Sequence, residues 1–233
     1  EADFALARVG LERLARAGSA DAALRLAEVL QYCPGHEVMT REAREERMVE
    51  TMAYFPDAPV GGVRLDDPAA IRFILDMQSH LDGACAGADL LHDADPERAA
   101  LEWIELAVQA GDTRAMARYA EVALAPYNSN ITLIVDEAEE VLRLRDRSRM
   151  LLERALAAGE PEALLAAAHA HLTGGIRTRD PARTLAYLDE FEASGAPVHG
   201  PRSALVLLRR MAELALEADE TAGSVERPRA GRP

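Results

Sequence analysis

The two cysteines of the chain and the histidines near them are the residues whose types and spacing point most directly to chemistry. His36 follows Cys33 at a C-x-x-H spacing, while His80 precedes Cys85 by five residues and His92 lies nearby. Cysteine sulfur and histidine nitrogen are preferred ligands of Zn²⁺. Four such ligands from two loops could hold zinc, although the second group lacks the tight spacing of a zinc knuckle. A metal site is therefore one of three alternatives for these cysteines.

The other two alternatives for Cys33 and Cys85 are a disulfide and a pair of buried free thiols. An even number of cysteines indicates a disulfide in an envelope protein and free thiols in the cytosol. Each cysteine follows a segment predicted to be helical, and the two flank an irregular stretch that a covalent link would hold in place. We expect the disulfide. Neither cysteine has beside it the positive side chain that activates a catalytic thiol.

The remaining polar groups give no recognisable catalytic pattern. His169 and His171 lie in an alanine-rich helix and point about 200° apart, so we expect them to be surface or packed residues. The acidic run from Asp136 to Glu140 opens a predicted helix, where the helix dipole favours acids, and is interpreted as a solvated face. The sequence contains no glycine-rich phosphate loop, G-x-S-x-G or H-E-x-x-H motif. We therefore expect no enzymatic activity and no cofactor.

Composition and charge narrow the fold and the partners. The chain has 233 residues, of which 49% are hydrophobic and 4% aromatic. Alanine and leucine dominate, and both favour helices, so we predict an all-α protein. The 40 acids against 26 bases give a formal charge of −14. Such a field repels phosphate, which argues against nucleic-acid binding and docking on anionic membranes.

Three glycines mark an internal repeat. Gly18, Gly111 and Gly159 each follow an alanine and come after an apolar helical pattern. Glycine can take the left-handed conformation that ends a helix, and small residues after it allow the next helix to pack closely. Alanines recur four and nine residues after each glycine: Ala22, Ala27, Ala115, Ala120, Ala163 and Ala168. The unit is therefore helix, glycine turn, helix, with a weaker copy at Gly195.

The spacing of the copies predicts two irregular segments. Gly159 and Gly195 are 36 residues apart, whereas Gly111 and Gly159 are 48 apart, with the excess between Tyr127 and about Val135. The long gap from Gly18 to Gly111 is expected to hold one further, degenerate unit at about residues 33–92. Its helices are predicted at 41–54 and 68–81, with a loop between them.

The segment from Asp95 to Trp103, followed by Gly111, Ala115 and Ala120, resembles the Sel1-like repeat, a relative of the tetratricopeptide repeat. The stretch from His171 to Ile176 resembles the glycine loop between units of that family. The resemblance implies a right-handed α-solenoid of four or five helix pairs. It also implies a role in assembling protein complexes, often at the bacterial envelope.

Aromatic residues supply the candidate partner-binding positions. Stacked helix pairs form a curved array whose concave face offers a groove for peptides. Trp103 and Tyr187 fall on the apolar position eight residues before a glycine, so both are expected to pack between helices. Tyr127 and Asn128 are the candidate surface residues. The acidic composition favours a partner protein or peptide with a basic segment, and the oligomeric state stays open.

These observations predict a single domain at residues 1–220 and a disordered tail at residues 221–233. The predicted function is a non-enzymatic interaction scaffold or adaptor, with a cysteine- or zinc-dependent hydrolase and a cytosolic signalling module as alternatives. No apolar run approaches the roughly 20 residues of a membrane-spanning helix. Because the sequence begins at Glu1, we expect a removed signal peptide and a periplasmic or secreted protein, with the cytoplasm as the alternative.

Overall fold

The part of the chain that the structure describes is mainly α-helical, as predicted. The computed structural model describes residues 4–55, 58–86, 88, 95–128 and 130–225. A 3-10 turn covers Ala125–Tyr127, and two short strands, β1 (Pro59–Val60) and β2 (Val63–Arg64), pair antiparallel. The helices of the described residues are α1 (Phe4–Arg16), α2 (Ala20–Tyr32), α3 (Arg41–Tyr54), α4 (Pro68–Ala84), α5 (Pro96–Gln109), α6 (Thr113–Ala123), α7 (Ile131–Asp136), α8 (Ala138–Ala157), α9 (Pro161–Thr173), α10 (Pro181–Ser194) and α11 (Ser203–Val225).

The glycine turns have the predicted conformation. The φ angle is +97° at Gly18, +87° at Gly111 and +73° at Gly159. The residue after each glycine donates its N–H to a carbonyl five residues upstream, and its side chain accepts a hydrogen bond from an N–H two or three residues downstream. One residue thus closes the first helix and caps the second. These residues are Ser19, Asp112 and Glu160.

Four pairs of consecutive helices pack against each other. The pairs are α1 with α2, α5 with α6, α8 with α9, and α10 with α11. Successive pairs join through α2 on α5, α6 on α8, and α9 on α10. The second helices of the pairs also contact each other in the order α2, α6, α9 and α11, and we call this set the second-helix row.

The repeat alanines lie at these helix contacts, with one exception. Five of the six are 0–3% exposed, which permits close approach of the helices. Ala120 is half-buried, and its neighbour Tyr119 is fully buried instead. At this position of α6 the most buried side chain is thus a tyrosine and not the repeat alanine.

The helices of the expected degenerate unit do not separate α2 from α5. The chain contains helices α3 and α4 at the predicted places, but α2 packs directly against α5. The predicted loop between α3 and α4 is a hairpin, whose turn residues Gly61 and Gly62 both have positive φ. This segment leaves the row of helix pairs because α2 and α5 already bury each other's apolar faces.

Helix α4 connects the two ends of the second-helix row. At its start, the side chain of Asp67 caps α4, and Oδ2 of Asp67 lies 3.4 Å from Nε of Arg210 on α11. Val63 and Ala70 pack against Leu207 of α11 in a small separate core. At its other end, Cys85 follows α4 and is joined to the residue that follows α2. We call α4, with these contacts, the α4 bridge.

The last helix is longer than predicted. The sequence indicated an end near Ala218, whereas α11 continues to Val225, so the first five residues of the expected disordered tail are helical. The rest of that tail lies outside the described residues. Among the helices that the structure describes, none combines the length and the apolar character needed to cross a membrane.

The disulfide should contribute strongly to stability because it closes a long loop. The bonded cysteines are 52 residues apart, and loop-closure entropy for a loop of this length corresponds to about 4 kcal/mol. Urea unfolding should show that the reduced protein and a Cys33→Ala, Cys85→Ala double variant lose the same unfolding free energy relative to the oxidised protein. An unchanged unfolding midpoint after reduction would contradict this expectation.

Two glycine-to-alanine substitutions should have opposite effects. Gly111 and Gly10 both have open space where a Cβ would lie, but only Gly111 has positive φ, whereas Gly10 is inside α1. Gly111→Ala should therefore lose about 1–2 kcal/mol of unfolding free energy. Gly10→Ala should gain about 0.5–1 kcal/mol. Both substitutions are measured by thermal and urea unfolding. Equal effects of the two substitutions would show that backbone conformation does not control the turn.

Candidate functional site

The two cysteines form a disulfide in a buried setting, as expected from the sequence. The Cα atoms of Cys33 and Cys85 are 5.3 Å apart, and both residues are at most 5% exposed. Beside them, Nε2 of His36 lies 2.9 Å from Oδ1 of Asp82, and Arg44 of α3 pairs with the same carboxylate. These contacts tie α3 and the end of α4 to the segment that follows α2.

The residues of the zinc alternative are used differently in the structure. Because the sulfurs of Cys33 and Cys85 are bonded to each other, neither presents a thiolate. His36 is occupied by Asp82, His80 is exposed, and His92 lies outside the described residues. Within the described ranges, no group of three or more histidine, cysteine or acidic side chains is arranged to hold a metal.

The histidines of α9 have the packing and surface positions expected from the sequence. His169 is exposed. His171 is buried, its Nδ1 lies 2.9 Å from the carbonyl oxygen of Thr178, and its ring stacks on Tyr187 with centroids 5.8 Å apart. His171 therefore fixes the connection between α9 and α10.

Trp103 and Tyr187 also pack between helices, as predicted. Trp103 is 9% exposed, and the guanidinium of Arg16 lies 5.5 Å from its ring centroid. Tyr187 is half-buried against the main core. Neither ring is therefore free to form the centre of a partner-binding surface.

The charged side chains of the second-helix row pair with each other across successive helices. Asp21 on α2 accepts a 2.9 Å hydrogen bond from Arg114 on α6, and Glu28 pairs with Arg118 in the same way. The hydroxyl of Tyr32 donates to Glu121, and burial is the main cause that raises the pKa of Tyr32. These contacts connect the first two helix pairs, and they provide partners for the charged side chains named here.

Glu162 continues this charged row on α9. Its Oε1 lies 3.4 Å from Nε2 of His199. Burial raises the pKa of Glu162, while the charges of Arg118 and His199 lower it less strongly. The carboxylate of Glu162 is therefore less stable in the folded protein than in water.

Tyr127 is inside the protein, which corrects its assignment as a surface residue. It is 9% exposed, and its hydroxyl donates a 2.7 Å hydrogen bond to Oε2 of Glu137. Burial and then this hydrogen bond raise the pKa of Tyr127 to about 12. Asn128 is exposed, as expected. Tyr127 thus anchors the junction of α7 and α8 because its ring is buried and its hydroxyl binds the residue between the two helices.

The segment that Tyr127 anchors carries an exposed apolar face, which sequence reasoning missed. Ile131, Ile134 and Val135 lie on one side of α7, with 76%, 37% and 70% of their surfaces exposed. None of the six residues of α7 is buried. The available signal was the i, i+3, i+4 apolar pattern inside the twelve residues that exceed the repeat spacing.

Acidic side chains follow this apolar face directly. Val135 and the acidic run line an open depression of about 570 Å³. The run spans the end of α7 and the first turn of α8, and its exposed position matches the predicted solvated face. We call the combined patch the α7 surface. Its members are Ile131, Ile134, Val135, Asp136, Glu137, Glu139 and Glu140.

Comparison of the chain with protein-family models, with curated proteins and with solved structures finds no match.

Replacing Glu162 with glutamine should stabilise the protein at neutral pH. A raised carboxyl pKa means that the folded state binds the proton more tightly than the unfolded state, so stability falls as the pH rises through the folded pKa. Glu162→Gln removes that loss because glutamine has no charge. Its melting temperature should exceed that of the wild type at pH 7, and the two should converge below about pH 4.

The control for this prediction is Glu102→Gln, which removes an exposed glutamate whose side chain is 72% accessible. Its melting temperature should follow that of the wild type across the pH range. A destabilised Glu162→Gln variant at pH 7 would show that the pair with His199 outweighs the cost of burial.

Proposed function

We propose that this chain is a non-enzymatic scaffold of the Sel1-like type, which holds a partner protein through the α7 surface in an oxidising compartment such as the periplasm. The observation that carries this proposal is α7 itself: an insertion in a helix-pair repeat that is anchored by a buried tyrosine and leaves its apolar face open.

The helix-pair arrangement supports the proposed right-handed α-solenoid. Four pairs follow one another along the chain, and three of them share the same glycine turn and capping bond. Each pair contacts the next, as in proteins whose stability is the sum of repeats and their interfaces. Such a scaffold presents inserted segments at fixed positions.

The disulfide supports the proposed compartment. Disulfides persist in the periplasm and outside the cell, whereas cytosolic reductants keep most thiols reduced. The Cys33–Cys85 bond is buried and closes a long loop. The same bond weighs against the two alternatives. A hydrolase that uses Cys33 or Cys85 as its nucleophile or zinc ligand would need a free thiolate, and a module of a cytosolic pathway would have reduced cysteines.

Two features favour the α7 surface over the second-helix row as the partner site. The charges of the row pair within the chain, as in Asp21 with Arg114 and Glu28 with Arg118. The α4 bridge also joins the two ends of the row. A partner that binds the row would therefore have to break contacts that the chain already makes. A partner that covers the apolar side chains of α7 would not have to break such contacts.

The chemistry of the α7 surface selects the partner. Exposed isoleucine and valine side chains gain free energy when a partner covers them. The acids next to them favour a partner segment with arginine or lysine beside its apolar residues, and the net charge of −14 would steer such a segment to the chain. We therefore expect an amphipathic basic segment, and not an acidic or uncharged one.

This proposal is tested by selecting, from a displayed library of random peptides, those that bind the oxidised protein. The recovered peptides should combine apolar residues with arginine or lysine. Ile131→Ser with Val135→Ser should weaken their binding at least tenfold, since about 1.4 kcal/mol of lost burial corresponds to a factor of ten. Asp136→Asn with Glu139→Gln should weaken binding and reduce its dependence on salt.

The matched control is Val9→Ser, which removes an apolar side chain of α1 that is 74% exposed. It should leave the affinity unchanged. Peptides without basic residues, or peptides that bind the α7 variant as tightly as the wild type, would contradict the proposal.

A further inference from the structure

A second depression lies on α8, away from the α7 surface, and is lined by three arginines. Arg145 and Arg149 are one helical turn apart on α8, and Arg177 comes from the connection between α9 and α10. The depression has a volume of about 410 Å³, and Gly174, Ile176 and Thr178 complete its wall. A space of this size accommodates a small organic molecule.

Arg177 has unused hydrogen-bonding capacity inside this wall. Its side chain is 15% exposed, and its buried Nε and Nη2 have no hydrogen-bond acceptor among the residues that the structure describes. Nη2 lies 2.6 Å from Oε1 of Glu153, so the two groups attract each other, but they do not meet in hydrogen-bond geometry. Arg177 nevertheless lines the depression, so an anion there would be attracted by the charge of this partly buried guanidinium.

The other two guanidiniums are only partly neutralised. Arg149 pairs with Asp146 on its own helix, while Arg145 donates to the uncharged carbonyl of Gly175. Three guanidiniums therefore face two carboxylates, Asp146 and Glu153. A local excess of positive charge favours the binding of an anion here, although the whole chain has a net charge of −14.

The loop that carries Arg177 is held in place before any ligand arrives. His171 bonds the carbonyl of Thr178, and the N–H of Asp180 donates to the carbonyl of His171 at 2.8 Å. Gly174 ends α9 with φ of +72° and has the side chain of Arg179 against it. A binding wall fixed in this way loses little entropy on binding.

We propose that this depression binds a small molecule through an oxyanion, either a phosphate monoester or a carboxylate. Paired guanidiniums match both groups because their N–H donors form a planar fork. Ile176 contacts the apolar part of the ligand, and Arg145, Arg149 and Arg177 hold the oxyanion. The site is independent of the proposed partner surface, because the two depressions share no residue.

Nuclear magnetic resonance of the arginine Nε–Hε groups tests this inference directly. Phenyl phosphate and benzoate are titrated into the protein at constant ionic strength, with sodium chloride as the reference. The resonances of Arg145, Arg149 and Arg177 should shift and saturate. The tighter of the two ligands then identifies the oxyanion as a phosphate ester or a carboxylate.

Two variants make the result decisive. Arg149→Gln changes an exposed residue, so it should fold normally and weaken binding at least tenfold, as expected for loss of a charge-assisted hydrogen bond. Arg143→Gln is the matched control on the same helix, where Arg143 pairs with Glu140 outside the depression. It should keep the wild-type affinity. Shifts that do not saturate, or equal weakening in both variants, would overturn the proposal.

Discussion

The left-handed glycine between paired helices is the constraint on which the rest of the structure depends. At Gly18, Gly111 and Gly159 the backbone reverses with positive φ, and the next residue both closes one helix and caps the next. Any other residue type would be strained there. Because the turn fixes the direction of the second helix, the side chains at the contact must be small. Alanine occupies all six repeat positions, and five of these alanines are fully buried or nearly so.

Two segments depart from this repeat, and each is held by specific contacts. The α4 bridge is fixed by a covalent bond at one end and by Asp67, Arg210 and a small apolar core at the other. Helix α7 is fixed by the buried ring of Tyr127 and its bond to Glu137. Both segments are therefore held in place by contacts within the chain.

Much of this fold could be predicted from the sequence because its signals are local. Helical periodicity, turn glycines and capping residues act within a few residues, so the helices and the packing of Trp103 and Tyr187 follow from the pattern. The disulfide was expected from the number of cysteines and their predicted positions. The short hairpin was missed because its strands have only two residues each.

The remaining features depend on contacts between distant parts of the chain. The packing of α4 on α11 joins residues more than a hundred positions apart, and no local pattern encodes it. Tyr127 was predicted at the surface, but its ring is buried and its hydroxyl bonds Glu137 between α7 and α8. The arginine-lined depression needs α8 and the α9–α10 connection together, so it appears only in three dimensions.

Hydrogen exchange of the oxidised protein, with and without a saturating amphipathic basic peptide, tests the central claim most directly. If α7 is the partner surface, exchange should slow in α7 and the first turn of α8 and stay unchanged in α6 and α9. Protection along α2, α6 and α9, with none at α7, would contradict the account and identify the second-helix row as the binding face.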